Sequence, residues 1–342
     1  MTDIIMQIDN LTKEFQVNKH TSVTAIENIS FTIKKGETFS LVGESGCGKT
    51  TLGRCVVRGI SSSSGKVLYH QDTLGELDFL TVKGKQYKSV RKDIQMIFQD
   101  PFSSLNPRMT VYDIISEPLK AMTKLSKKEI QEKVKAIAEK TGLDVSYLKR
   151  YPHSFSGGQR QRIGIARALI TNPKVIVCDE AVSALDVSIQ AQIINLLKEL
   201  QEEMDITYLF IAHDLSIVEH ISDRVAVMYL GRIVELSTTD KLFTTPKHPY
   251  TEALLSAVPK PDPEIKKERI VLKGEVPNPT NRPSGCHFHP RCSYATEVCQ
   301  SEQPPLVEIQ EEHFVACHHA KEMTLQGIMG IVATEEKTLE GR

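Results

Sequence analysis

A doubly wound α/β fold, with a parallel sheet covered on both faces, is what the pattern of this chain predicts, and three features carry the prediction. Apolar runs of strand length alternate with helical periodicities through most of the sequence, as chained βαβ units require. The run Thr38-Phe39-Ser40-Leu41-Val42 opens into a glycine-rich loop, Gly43-Glu44-Ser45-Gly46-Cys47-Gly48-Lys49-Thr50-Thr51, followed by a helix-compatible stretch. A second run, Lys174-Val-Ile-Val-Cys178, is apolar on both faces, as a central parallel strand must be, and ends in Asp179 and Glu180.

In chain order, strands are expected near 4–15 and 24–33, with a turn at Lys34-Lys35-Gly36-Glu37 between the second and the strand before the loop. Alternation returns at 66–69 and 93–98. Helical periodicity then runs from Val111 through Thr141, so a helical subdomain at about residues 100–162 interrupts the α/β core. The core resumes with a helix from near Ile163, a strand at 174–179, a helix at 189–204, and strands at 206–212 and 224–228. The expected domains are a core over 1–250, a Cys-rich extension over 251–320, and a tail over 321–342 without a usable pattern. Pro259-Lys-Pro-Asp-Pro263 reads as a stiff linker into the extension.

The 342 residues suffice for a large core and an added module. A formal net charge of −1 gives no basic excess that would call for nucleic acid. The start, Met1-Thr-Asp-Ile-Ile, carries an acid and no long apolar segment, so no signal peptide is expected. No stretch approaches the roughly 18 apolar residues of a spanning helix, so the chain is expected to be soluble and cytoplasmic by itself.

The motifs point to phosphate chemistry. Glycines let backbone amides of the loop wrap phosphates, the following helix adds its positive dipole end, and Lys49 adds a full charge between the β- and γ-phosphates. Thr50 is expected to ligate Mg2+, with Asp179 holding the same ion through water, while Glu180 polarises the attacking water. Ser156-Gly157-Gly158-Gln159 opens a second helix and makes a second anion site. One loop already serves one nucleotide, so this second site needs a different nucleotide to bind.

The order of glycine-rich loop, Gln99, Ser156-Gly157-Gly158-Gln159, Asp179-Glu180, Ser183-Ala-Leu-Asp186 and His213 resembles the ATP-binding cassette family. The resemblance implies an ATPase that closes on ATP as a dimer, the Ser156 segment of one chain reaching the γ-phosphate held by the other. It implies that Phe15 stacks on adenine and that Gln99 senses Mg2+ and the attacking water. It further implies that His213 touches the γ-phosphate and holds Glu180, and that Asp186 crosses the dimer interface. Two departures, Phe155 for the usual leucine and Ala181 for a frequent proline, remove no chemical group, so an active site is expected. Residues 100–111 and Asp186-Val-Ser-Ile-Gln-Ala-Gln are similar to the oligopeptide and dipeptide importer branch, and in family terms 100–111 receives a short cytoplasmic helix of the membrane subunits.

That branch implies a second, related ATPase subunit, two transmembrane permease subunits, an extracytoplasmic peptide-binding protein and a peripheral place on the cytoplasmic face of the membrane. Oligopeptide is preferred by resemblance, with dipeptide, nickel chelate and glutathione left open. A soluble cassette protein of DNA repair or translation would usually carry two cassettes, a coiled-coil insertion or basic arms, and this chain has one cassette and no heptad run. A purely regulatory cassette need not keep both Glu180 and His213.

Of seven cysteines, Cys286, Cys292, Cys299 and Cys317 fall within one 32-residue stretch. A cytoplasmic chain is not expected to use structural disulfides, so the four thiols read first as metal ligands. Spacings of five, six and seventeen residues do not match short C-x-x-C zinc knuckles and leave open an iron–sulfur cluster. The passage from Pro277-Asn-Pro through Cys317-His318 resembles the C-terminal extension of peptide-transporter ATPases, which implies a [4Fe–4S] cluster on these four cysteines. Zinc with some of His287, His289 or His318 is the alternative, and unligated thiols are a third reading.

Overall fold

The computed structural model describes residues 4–18, 21–71, 75–258 and 269–328; the linker expected at Pro259 to Pro263 and the tail beyond 328 lie outside the described residues. Among the described residues, twelve strands form two sheets. They are β1 (Ile4–Asn18), β2 (Thr21–Lys34), β3 (Thr38–Val42), β4 (Ser64–Gln71), β5 (Gly75–Asp78), β6 (Ile94–Ile97), β7 (Val175–Asp179), β8 (Thr207–Ile211), β9 (Arg224–Tyr229), β10 (Arg232–Thr238), β11 (Val307–Gln310) and β12 (His313–Val315). The smaller sheet, β2-β1-β4-β5, is antiparallel throughout. The larger runs β11-β12-β10-β9-β3-β8-β7-β6, and its five strands from β9 to β6 are parallel.

The parallel strands are those whose sequences are apolar on both faces, and β3, β7 and β8 are buried at every position. Alternate side chains serve two cores. Ile176, Cys178, Tyr208 and Phe210 face a core shared with the helical subdomain. Val175, Val177, Leu209 and Ile211 face a second core shared with β1, β2, β4 and the helix Lys49–Val56. Burial on both faces is what the doubly wound expectation requires.

The subdomain helices Val111–Met122 and Lys127–Lys140 start where hydroxyl residues can cap them. Thr110 accepts the Asp113 N–H, and Ser126 forms a reciprocal capping box with Glu129. Strands β10 to β12 were not anticipated from the sequence. β12 lies within the extension yet pairs with β10, Glu235 opposite Val315 and Leu236 opposite Phe314, so the extension continues the main sheet. A short added strand satisfies the hydrogen-bonding groups that β10 would otherwise present at an open edge.

Candidate nucleotide-binding site

β3 delivers the glycine-rich loop to the start of the helix Lys49–Val56. Gly48 is the N-cap with φ 107°, a left-handed conformation that favours glycine, and a Cβ there would meet the Ala25 carbonyl oxygen at 2.4 Å. The cap supplies no side-chain acceptor and no acid sits in the first turn, so the leading amides are free to face an anion. Lys49 is buried, and its Nζ donates to the carbonyls of Gly43 at 2.7 Å and Glu44 at 3.0 Å, which holds the ammonium against the loop. Burial pushes the Cys47 thiol up, so it sits there as a small uncharged side chain.

Gly43 is the tightest position, because a Cβ would lie 2.2 Å from the Met228 carbonyl oxygen of β9. Gly43→Ala must therefore push the loop off β9. Forced overpacking costs about 1–3 kcal/mol, and if that strain falls on the binding-competent loop the nucleotide Kd rises about tenfold or more. Calorimetric titration with a non-hydrolysable ATP analogue checks it, and unchanged affinity would show that the loop tolerates the shift.

At the end of β7, Asp179 is fully buried and its Oδ1 accepts the Thr50 hydroxyl at 2.8 Å. Its Oδ2 has no hydrogen-bond partner among the described residues, and Arg54 Nε is 4.0 Å away. Burial raises the Asp179 pKa, against the lowering effects of Thr50 and Arg54. A hydroxyl beside a buried carboxylate with one oxygen unspent is a hard-oxygen donor set, and it fits Mg2+.

Glu180 follows in a left-handed conformation, φ 46°, its N–H donating to the Ile211 carbonyl at 3.0 Å. That backbone turns the side chain away from Asp179, at the strain cost a non-glycine residue carries there. Its Oε2 accepts from Gln99 Nε2 at 2.8 Å and lies 3.3 Å from His213 Nδ1. Three residues singled out from separate parts of the sequence thus meet at one carboxylate oxygen. His213 is half-exposed while Glu180 is largely covered, so the pair has a solvent-facing side and a protein-facing side.

Ser156, Gly157, Gly158, Gln159 and Asp186 form a second neighbourhood. Ser156 caps the helix Gly157–Leu169 and closes a capping box with Gln159. Asp186 caps the helix Val187–Met204, accepting from the Ile189 N–H at 3.0 Å and the Ser188 hydroxyl at 2.7 Å. A Cβ on Gly158 would meet Ile189 Cγ2 at 2.6 Å, so the glycine is also required by close approach of the two helix starts, a packing reason invisible along the sequence. Phe15 stands apart on β1, exposed, with Lys13 Nζ 4.8 Å from its ring centroid.

Sequence reasoning missed what holds Glu44. Its carboxylate pairs with Arg291, 247 positions away, and its N–H donates to the Tyr250 hydroxyl. No local pattern could have signalled contacts at such separation.

Residues 26–183 match the ABC transporter family, and residues 234–299 match the oligopeptide/dipeptide transporter C-terminal region. The chain is 51% identical over 324 residues to the oligopeptide transport ATP-binding protein AppF of Bacillus subtilis, covering 92% of this chain and 97% of that protein. It belongs to the ATP-binding proteins of ABC transporters. The oligopeptide transport ATP-binding protein OppF of Escherichia coli K12 is 52% identical over 299 residues, 86% of this chain and 88% of that one. A solved dimeric ATP-binding cassette in a post-hydrolysis state with ADP and Pi superposes with a TM-score of 0.61 at 26% identity, over 69% of this chain and 99% of its own.

The expected metal centre of this ABC protein needs correction. Cys286, Cys292, Cys299 and Cys317 do line one small cavity. Among the described residues, however, no three Cys, His, Asp or Glu side chains are grouped so as to hold a metal ion, and the matching families and relatives are peptide-transporter ATPases with no iron–sulfur family among them. The [4Fe–4S] assignment and its zinc alternative therefore fall. Burial pushes the thiol of Cys292 up to about 11 and that of Cys317 up to about 12, and raises Cys286 as well, so these groups stay protonated at neutral pH. Of the three histidines, His289 Nδ1 lies 3.0 Å from the Cys286 carbonyl oxygen and His318 Nε2 3.0 Å from that of Glu302, while His287 Nδ1 is buried without a partner among the described residues. Cys286 and Cys292 pack, partly buried, against the main hydrophobic core, and Cys299 is buried.

Proposed function

We propose that this chain is the ATP-hydrolysing subunit of an ABC importer of oligopeptides or dipeptides. The observation that carries the reading is the meeting of Gln99 and His213 on one oxygen of Glu180, beside the Thr50–Asp179 pair, in a chain half identical to an oligopeptide transport ATP-binding protein. In this reading the amides of residues 43–51 and Lys49 hold the phosphates. Thr50, Asp179 and Gln99 would hold Mg2+, which would supply charge neutralisation to the phosphates. Glu180 orients and polarises the attacking water, His213 holds Glu180 and touches the γ-phosphate, and Phe15 stacks on adenine. Ser156 to Gln159 and Asp186 face the nucleotide of a second cassette.

Nucleotide-driven closure requires ATP to bind the closed dimer better than the open one. Moving that equilibrium from 1:99 to 99:1 takes about 5.5 kcal/mol. Several charge-assisted hydrogen bonds of about 1.5–3 kcal/mol each supply it.

The proposed assembly holds a second, related ATPase subunit, two permease subunits and an extracytoplasmic peptide-binding protein. No helix of the described residues is long and apolar enough to cross a membrane, and the reading places the chain peripherally, at the cytoplasmic face. Support for a docking groove comes from Phe98, Phe102 and Tyr151, three exposed aromatics on and beside the 100–111 stretch. The Arg160 guanidinium stacks 4.0 Å from the Phe102 ring centroid, which orders an aromatic side chain that faces solvent.

Reconstitution into vesicles with the permease subunits, the binding protein and peptide tests the assignment. Hydrolysis is expected to rise several-fold over the isolated chain when all components are present, with no response to nucleic acid. A rate indifferent to the membrane partners, or stimulated by nucleic acid, would overturn the transport assignment.

A further inference from the structure

The glycine-rich loop is gripped from outside the nucleotide core. Glu44 Oε2 accepts from Arg291 Nη1 at 2.8 Å and Oε1 from Nη2 at 3.1 Å, a bidentate fork in the geometry that makes Arg–carboxylate pairs strong and directional. The Glu44 N–H donates to the Tyr250 hydroxyl at 2.8 Å, and the Glu44 carbonyl accepts from Lys49 Nζ at 3.0 Å. One residue therefore carries, on three different groups, the Arg fork, the tyrosine hydroxyl and the lysine expected to meet phosphate.

The grip is rigid at its far end. Arg291 closes the single turn His289–Arg291, is buried, and keeps its Nη1 3.5 Å from the Tyr229 hydroxyl. Tyr229, Tyr250 and Phe288 pack as a trio with centroid separations of 4.7, 5.2 and 5.4 Å. Tyr229 comes from β9, Tyr250 from the helix Pro249–Ser256, and Phe288 precedes the Arg291 turn, so the trio ties the extension to the sheet directly behind the loop. A device serving only to attach the extension could end on any part of the core. This one ends on the residue whose carbonyl anchors Lys49.

We infer that Arg291 and Tyr250 are positioning residues of the nucleotide site: by fixing Glu44, and through its carbonyl Lys49, they let the C-terminal extension set nucleotide affinity. The inference rests on the reading that residues 43–51 take the nucleotide. Neither side chain touches phosphate, and each acts through Glu44. Losing Arg291 frees the Glu44 carboxylate to swing to solvent, and losing the Tyr250 hydroxyl leaves the Glu44 N–H to find another acceptor. Either change lets the loop carbonyls that hold Lys49 drift.

The experiment is calorimetric binding of a non-hydrolysable ATP analogue with Mg2+ to the full chain, for wild type, Arg291→Ala, Arg291→Lys, Glu44→Gln, Arg291→Ala/Glu44→Gln and Tyr250→Phe, with Lys49→Ala as control. Arg291→Ala is expected to raise Kd about tenfold, the size of one lost charge-assisted hydrogen bond. The double variant should bind no worse than Arg291→Ala, because both changes break the same contact, and Arg291→Lys should recover part of the affinity. Tyr250→Phe, which removes one oxygen and keeps the ring, should weaken binding about threefold to tenfold. If Arg291→Ala does not fold, Glu44→Gln and Tyr250→Phe decide the matter alone. Unchanged Kd in the folded variants, or strictly additive losses in the double variant, would overturn the inference and leave the clasp a structural joint. Failure of the wild type to bind nucleotide, or undiminished binding by Lys49→Ala, would instead overturn the reading beneath it.

Discussion

Glu180→Gln is expected to bind ATP with Mg2+ at close to wild-type affinity while hydrolysing it at least about a hundredfold more slowly, the loss typical when a general base is removed. Glutamine has the shape of glutamate, and its amide oxygen can still accept from Gln99 Nε2, now 2.8 Å from Glu180 Oε2. What it lacks is the negative charge that pulls a proton from water. The left-handed backbone at Glu180 is unaffected by the change and the N–H bond to Ile211 persists, so the loop geometry should survive. Single-turnover hydrolysis separates the chemical step from binding, and size-exclusion chromatography with ATP should reveal an accumulated dimer. Ordinary turnover would remove Glu180 from the catalytic role and move attention to His213, the other titratable group at that oxygen.

The parts of this site that were legible from the sequence are those in which chemistry and backbone requirement coincide over a few residues. A loop needing three glycines, and a strand apolar on both faces that ends in two carboxylates, write their constraints into consecutive positions, and β3 and β7 fold as those constraints ask. Gln99 and His213 are single residues without a local pattern, and only the resemblance singled them out; the structure brings both to Glu180.

Illegible were the contacts between distant segments. The fork from Arg291 to Glu44 and the pairing of β12 with β10 each join segments about eighty or more residues apart, and a three-residue strand such as His313–Val315 is too short to show alternation. The cysteine-rich module was misread for a related reason. Spacing along the chain shows that thiols are near one another in sequence but not how their sulfur atoms are oriented or how deeply they are buried, and burial raises the thiol pKa of Cys286, Cys292 and Cys317. Gly158 shows a third kind of miss, where the residue was noticed and a packing reason, Ile189, went unseen.

The largest stability loss is expected from Glu235→Ala, at the joint between the sheet and the extension. Glu235 and His313 are both fully buried, and Glu235 Oε1 lies 2.7 Å from His313 Nε2. The same carboxylate accepts the Lys247 N–H at 2.7 Å and the His248 N–H at 3.0 Å, so one side chain ties β10 to β12 and to the entry of the helix Pro249–Ser256. Alanine leaves a buried amide, a partly buried amide and a buried imidazole without their acceptor, and breaking such a buried network by removing its carboxylate costs about 3–5 kcal/mol. Glu235→Gln should be milder but still harmful, because one end of its amide must point an N–H at a donor. Hydrogen exchange should show protection lost at 247–256 and 313–315 before the parallel strands; uniform loss across the chain would mean that the joint belongs to the global fold. Acid should loosen the same joint. Burial depresses the His248 pKa from its ordinary 6.5 to about 3, and its Nδ1 accepts the Tyr250 N–H at 3.1 Å, which only a neutral ring can do. Between those two pH values the unfolded chain binds the extra proton, so stability should fall as pH drops below about 6.5, by up to about 1.4 kcal/mol per pH unit from this group. His248→Gln, which cannot titrate, should flatten that acid limb, and an unchanged slope would assign it to other groups.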